Sequence, residues 1–242
     1  MSTTQAEIGR NKTGIASSRA ASERMIEGTS EFLPTTIGDE REIAEVRAFY
    51  AKDADRLGSV PPPANLSGMA KTAINSMRGT RPTQFVDKLG ERLAFERTGV
   101  RLYEALISKY DAFGGFEGGP QRSELEEILL EEHEHFRMLT EIVTKLSGDP
   151  TVMTPSADFH ATMTKGVLEV VVDPRTTFAQ CLEAALVAEL ADNECWETLV
   201  DLARQNGEDE AAALFSRALE EEIEHLESVR AWIAAAQNRP EE

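Results

Sequence analysis

From residue 83 onward, apolar side chains recur every three or four positions, the period of an α-helix that buries one face. In the first such run, about 84–112, Phe85, Leu89, Leu93, Val100, Tyr103, Leu106 and Tyr110 fall on one side. It ends in the glycine-rich breaker GGFEGGP. A second run covers about 124–146. Ser123 and Glu126 read as the capping box that opens it, and SGDP stops it. A third, about 178–205, opens on Thr177 and Gln180, a further capping box, and stops at NG. The fourth, about 208–236, ends before Pro240. No segment sustains the two-residue alternation of a half-buried strand, although VLEVVV at 167–172 reads as a short strand or a helix end.

The connections between these runs predict their topology. About ten residues join the first to the second, and two or three join the third to the fourth, so each pair is an antiparallel hairpin. About 30 residues, 147–177, separate the hairpins, which requires one long crossover. The expectation is an all-α antiparallel four-helix bundle over 83–238, preceded by an extension over 1–82. Within that extension, residues 1–35 are rich in small and polar side chains and are expected to be a flexible tail or a segment that orders on a partner. Residues 38–57 place Ile43, Val46, Phe49 and Tyr50 at helical spacing. SVPPPANLSG at 59–68 reads as a stiff extended linker, and 68–77 as one short amphipathic helix.

The two hairpins resemble each other. Glu96 stands seven residues before Tyr103, and Glu189 seven before Trp196. EEHEHF at 131–136 is matched by EEIEHL at 221–226, which aligns His135 with His225 and leaves His133 opposite Ile223. The offsets are 189 − 96 = 93 and 225 − 135 = 90. A single acidic stretch containing histidine reads equally well as a solvated helix face. The second copy favours a metal site.

Residues three apart share a helix face, so Glu132 with His135, and Glu222 with His225, can each grip one ion. Residues four apart also share a face, and by spacing alone Glu131 and Glu221 compete for the same role. One glutamate from each remaining helix completes four carboxylates and two imidazoles, a donor set that suits two divalent ions of iron or manganese type.

The pattern E-x6-Y, E-x-x-H, long crossover, E-x6-aromatic, E-x-x-H resembles the ferritin-like superfamily, nearest its rubrerythrin and erythrin branch, over roughly residues 84–236. That resemblance implies metal ligation by Glu96, Glu132, His135, Glu189, Glu222 and His225, with Tyr103 and Trp196 as aromatic neighbours of the cluster. It favours Glu132 over Glu131, leaving Glu131, Glu134, Glu221 and Glu224 as surface charge. It implies two iron ions per chain, with manganese as the other metal. The expected activity is oxidation of Fe(II), or reduction of peroxide or dioxygen, in iron or oxidative-stress handling. Tyr103, two turns from Glu96, is the candidate to relay an electron or limit radical damage. The chain lacks the two CxxC pairs of a rubredoxin domain, so electrons are expected from an external donor. Asp192 replaces the branch's additional glutamate and is one methylene shorter; Gly99 holds the equivalent place on the first helix. The alternative function is a non-catalytic metal-binding or assembly protein that works through its N-terminal extension.

Charge narrows the partners further. With 25 Lys and Arg against 43 Asp and Glu, the net charge of −18 argues against nucleic acid or an anionic membrane and suits attraction of cations. Cys181 and Cys195 fit neither a disulfide framework nor a metal knuckle, so a reducing cytoplasm is the default compartment. No signal peptide or membrane span is read, and a homo-oligomer is expected. His160, in the crossover, reads as structural or solvent-facing, and Cys195 as a small core residue.

Overall fold

A computed structural model describes residues 18–31, 41–55, 57–63 and 82–238. Every regular element among them is an α-helix: α1 (Arg19–Glu31), α2 (Arg41–Asp53), α3 (Pro82–Phe113), α4 (Arg122–Lys145), α5 (Pro155–Met163), α6 (Lys165–Val172), α7 (Phe178–Gln205) and α8 (Asp209–Gln237). The chain divides into two compact units at residues 55 and 56.

In the first unit, residues 19–31 of the segment expected as a tail or as one that orders on a partner form the helix α1. Its sequence, RAASERMIEGTSE, carries three Glu, two Ala and two Arg, whose helix propensity acts without a large buried face. No residue of α2 is buried, and Ile43, Val46, Phe49 and Tyr50 are all exposed. The expected helix at 68–77 lies outside the described residues.

In the second unit, α3 pairs with α4 and α7 with α8, while α3 also lies along α7 and α4 along α8. This is the predicted pair of hairpins. The crossover is helical: α5 and α6 both cover α3, and α6 also packs on α7. VLEVVV is thus the end of helix α6 and not a strand. The helix α4 begins two residues earlier than the sequence suggested. The Gln121 N–H donates to Glu124 Oε2 at 2.6 Å, while Glu126 pairs with Arg122. The Thr177 and Gln180 capping box forms as expected. At the tight α7–α8 turn Gly207 has φ +72°, a left-handed backbone that favours glycine, and the Glu208 N–H returns to Ala203 O at 3.0 Å. Before α3, the Ser59 N–H donates to Met153 O, so the proline segment starts against the crossover.

The apolar core is split. One cluster gathers Phe95, Leu102, Tyr103, Leu106, Leu182, Val229 and Trp232; the other gathers Leu89, Leu93, Leu139, Trp196, Leu199 and Phe215. Between them lies a layer of buried polar side chains.

Candidate metal centre

Four helices each send polar groups into that layer. Helix α3 contributes Arg92 and Glu96, α4 Glu132 and His135, α7 Glu189 and Asp192, and α8 Glu222 and His225. Each is at most 3 % exposed. The six residues expected as ligands therefore all turn inward, whereas His133, Glu134 and Glu224 are exposed.

Glu222 is the hub. His135 Nδ1 lies 2.9 Å from its Oε1 and His225 Nδ1 lies 3.2 Å from its Oε2. His135 Nδ1 is also 3.6 Å from Glu96 Oε2. Three sets of oxygen and nitrogen atoms fall within 4.8 Å of one another: Glu96, His135 and Glu222; Glu132, Glu222 and His225; and Glu96, Glu132, Asp192 and Glu222. Glu189 stands beside these sets. Its Oε1 accepts a short hydrogen bond from the Tyr103 hydroxyl, and its Oε2 is buried with no hydrogen-bond partner. Asp192, despite its shorter side chain, joins the cluster.

Two features were not expected. The first is Arg92, buried in the cluster with its Nε 2.6 Å from Glu96 Oε1 and its Nη1 paired with Asp192 Oδ1. Its guanidinium stacks 4.4 Å from the Phe95 ring centroid and 5.3 Å from that of Trp196. Lying four residues before Glu96, it could have been found as an i,i+4 partner, but its inward direction has no marker in the sequence. The second is the outer rim. His135 Nε2 meets Glu221 Oε2 at 2.6 Å, and His225 Nε2 meets Glu131 Oε2 at 2.7 Å. Glu131 and Glu221 lie at the surface, as expected, and each also contacts a ring. They orient the rings from outside, each across the hairpin repeat from its own histidine.

Gly99 also gains a physical reason. A Cβ at this position would overlap the carboxylate of Glu132. The missing side chain of Gly99 is the room into which Glu132 extends, and Glu132 Oε2 there is buried without a hydrogen-bond partner.

The charges explain how five carboxylates share one core. Burial pushes Glu132 well above the ordinary carboxylate range, and the charges of Glu222 and Glu96 push the same way. Burial likewise raises Asp192, against the pull of Arg92, and lifts Glu189 to about 8. Burial opposes the charge on both histidines, but Glu222 and Glu96 hold His135 at about 11, and Glu131 and Glu222 hold His225 at about 10. For Glu222, the hydrogen bonds from both rings outweigh burial and keep it ionised, at about 2. Burial raises the Tyr103 hydroxyl well above its usual range, and Glu189 raises it further, so it remains a donor. Without an ion, protons on imidazoles and carboxylates carry out the neutralisation that the buried site demands.

A cation would do the same. Five carboxylates, one guanidinium and two divalent ions sum to zero if both imidazoles are neutral. The hard oxygen donors with two nitrogens fit iron or manganese, and the unpartnered oxygens of Glu132 and Glu189 are acceptors in search of one.

No curated protein and no solved structure matches the chain. The sequence model of the Ferritin-like domain family matches residues 86–238, which takes in both hairpins, the crossover and every residue of this cluster, and the chain belongs to that family.

Proposed function

We propose that the bundle centre holds two iron ions, with manganese as the alternative, through Glu96, Glu132, His135, Glu189, Glu222 and His225, and that the protein oxidises Fe(II) or reduces peroxide or dioxygen there. Membership of the ferritin-like family supports iron handling. The observation that carries the finer reading is the convergence of five buried carboxylates and two imidazoles whose charge two divalent ions would cancel. The bound pair would supply the redox electrons, which no side chain here provides.

The chain's own groups do the rest. Glu222 joins both histidines and so is suited to bridge. His135 and His225 present Nδ1 to the interior while Glu221 and Glu131 fix the rings from the Nε2 side. Binding of ions displaces protons from imidazoles and carboxylates. Tyr103 keeps its proton and directs it at Glu189, holding that carboxylate's Oε1 and leaving Oε2 to ligate. The two core clusters above and below exclude bulk water. The protein is read as a homo-oligomer of the cytoplasm with an external electron donor. Among the described residues no helix is long and apolar enough to cross a membrane.

Elemental analysis of full-length protein loaded anaerobically with Fe(II), followed by stopped-flow mixing with peroxide or dioxygen, tests this reading. Two ions per chain and oxidation faster than for free Fe(II) are expected. Stoichiometric binding without accelerated oxidation would favour the second reading, a metal-binding assembly protein. The observation that favours it is α2, whose Ile43, Val46, Phe49 and Tyr50 stay exposed and offer an apolar stripe to a partner.

A further inference from the structure

Away from the bundle centre, three side chains of different chemistry meet. Glu91 on α3, His160 on α5 and Cys195 on α7 each place a ligand atom within 4.8 Å of the others. His160 Nε2 lies 2.6 Å from Glu91 Oε1 and 3.8 Å from Cys195 Sγ, so one nitrogen faces both. Glu91 and His160 are buried and Cys195 is half-buried. The ring stands edge-on to Phe95 and Phe159, with centroids 5.5 and 5.9 Å away. Its Nδ1 is buried without a hydrogen-bond partner, so all its polar contacts are on the Nε2 side. The second oxygen of Glu91 pairs with Lys88, which fixes the carboxylate from behind.

We propose that Glu91, His160 and Cys195 form a second, mononuclear site for a borderline-soft divalent cation of the zinc class, with water in the fourth position. Zinc bonds of roughly 2.0–2.3 Å in a tetrahedron put ligand atoms about 3.4–3.6 Å apart. The Sγ to Nε2 separation of 3.8 Å is already close to that edge. The Oε1 to Nε2 contact of 2.6 Å has to open by less than about 1 Å, a side-chain adjustment. A plain hydrogen-bonded trio explains that contact, but it does not explain a thiol brought to the same nitrogen.

Donor softness separates the two sites. Thiolate and imidazole select zinc, whereas the all-carboxylate and imidazole centre suits iron or manganese. The protein would thus sort two metals in one chain, the first in the bundle and the second where the crossover helix α5 meets α3 and α7. Binding needs no redox partner. The Cys195 thiol proton and any second imidazole proton pass to solvent as the Sγ–metal and Nε2–metal bonds form. The ion would tie the crossover to both hairpins. This inference does not depend on the bundle-centre reading.

Co(II) alone, added to full-length protein as a spectroscopic stand-in for zinc, tests it. The expected result is a near-ultraviolet thiolate-to-cobalt absorption with the intense visible bands of a four-coordinate ion. Both should vanish in Cys195→Ser and in His160→Gln, and persist in Cys181→Ala and in the bundle-centre variant Glu132→Gln. Zinc should displace the signal and slow alkylation of Cys195 in the unmodified protein. That second readout decides the matter if the variants fail to fold. No thiolate band at cobalt saturation, a band lost with Cys181 and not Cys195, or alkylation unaffected by zinc would each overturn the proposal.

Discussion

Glu131 Oε2 lies 2.7 Å from Nε2 of His225, a residue 94 positions away on the other hairpin. The reciprocal contact joins Glu221 to His135. Each glutamate fixes the ring whose other nitrogen faces the carboxylate cluster. Such outer partners usually alter metal affinity or activity by about 10–100-fold. Glu131→Gln combined with Glu221→Gln should therefore weaken Fe(II) binding by at least about 10-fold while the far-ultraviolet dichroism stays unchanged. Anaerobic equilibrium dialysis measures this. An affinity within two-fold of the parent would return both residues to the role of surface charge.

Removal of an inner carboxylate should act differently. In Glu132→Ala and Glu222→Ala the number of bound ions should drop and accelerated oxidation should disappear. Tyr103→Phe keeps the ring and removes only the donor to Glu189, so stoichiometry should hold and the rate should fall by a smaller factor. Elemental analysis beside stopped-flow kinetics on the three variants separates the cases. Full activity in Glu132→Ala would mean that the ligand is another residue.

At Gly99 the two consequences of adding a methyl group oppose each other. Alanine gains about 1 kcal/mol over glycine in a helix interior. Its Cβ, however, occupies the space of the Glu132 carboxylate. Because that carboxylate is the end of a side chain and not backbone, the fold should survive and the site should not. Gly99→Ala should melt within a few degrees of the parent yet lose metal stoichiometry. Unaltered metal content would show that Glu132 has room elsewhere.

Stability of the ion-free protein should fall as pH rises through neutrality. Glu189 has a native value of about 8 against an ordinary 4.5, and Glu132 and Asp192 are raised as well. A raised native value means that the folded state binds the proton more tightly. The resulting stabilisation is complete below 4.5 and is lost on the way up through about 8. The histidines, raised from 6.5 to about 11 and about 10, begin to lose theirs above 6.5 and so add to the fall. With ions bound in place of these protons the melting temperature should change much less over the same interval. Thermal melts of chelated and Fe(II)-loaded protein under nitrogen, stepped between those values, check the sign. A chelated protein that grows more stable with pH would contradict it.

The long helices were legible because each carries an unbroken apolar stripe, and the six inward residues because the motif occurs twice at a matched offset. Repetition was the signal, and whatever is not repeated escaped it. Arg92 has no basic counterpart in the second hairpin. Glu91, His160 and Cys195 come from three separate segments with no shared spacing, so His160 read as structural and Cys195 as filler. The α1 helix has no such marker: it has propensity without a sizeable buried stripe. The contacts of Glu131 and Glu221 with the rings have no marker in the sequence, because positions three and four residues from a histidine share its face and only tertiary packing separates inside from rim.

The pairing of Arg92 with Asp192 breaks the symmetry of the two hairpins. Shifted by the 93-residue offset between Glu96 and Glu189, Arg92 corresponds to Ala185 and Asp192 to Gly99. One half thus holds a base where the other has a methyl group, and the other half holds an acid where the first has nothing. Arg92 is held in the core by Glu96 as well as Asp192, and breaking a buried pair from one side commonly costs roughly 3–5 kcal/mol. Arg92→Met alone should approach that loss in chemical denaturation, and adding Asp192→Ala should restore part of it. The two positions are then epistatic: a change at one is tolerated better when the other changes with it. The Arg92–Asp192 pair thus makes the two hairpins electrostatically unequal halves, and no single substitution makes them alike.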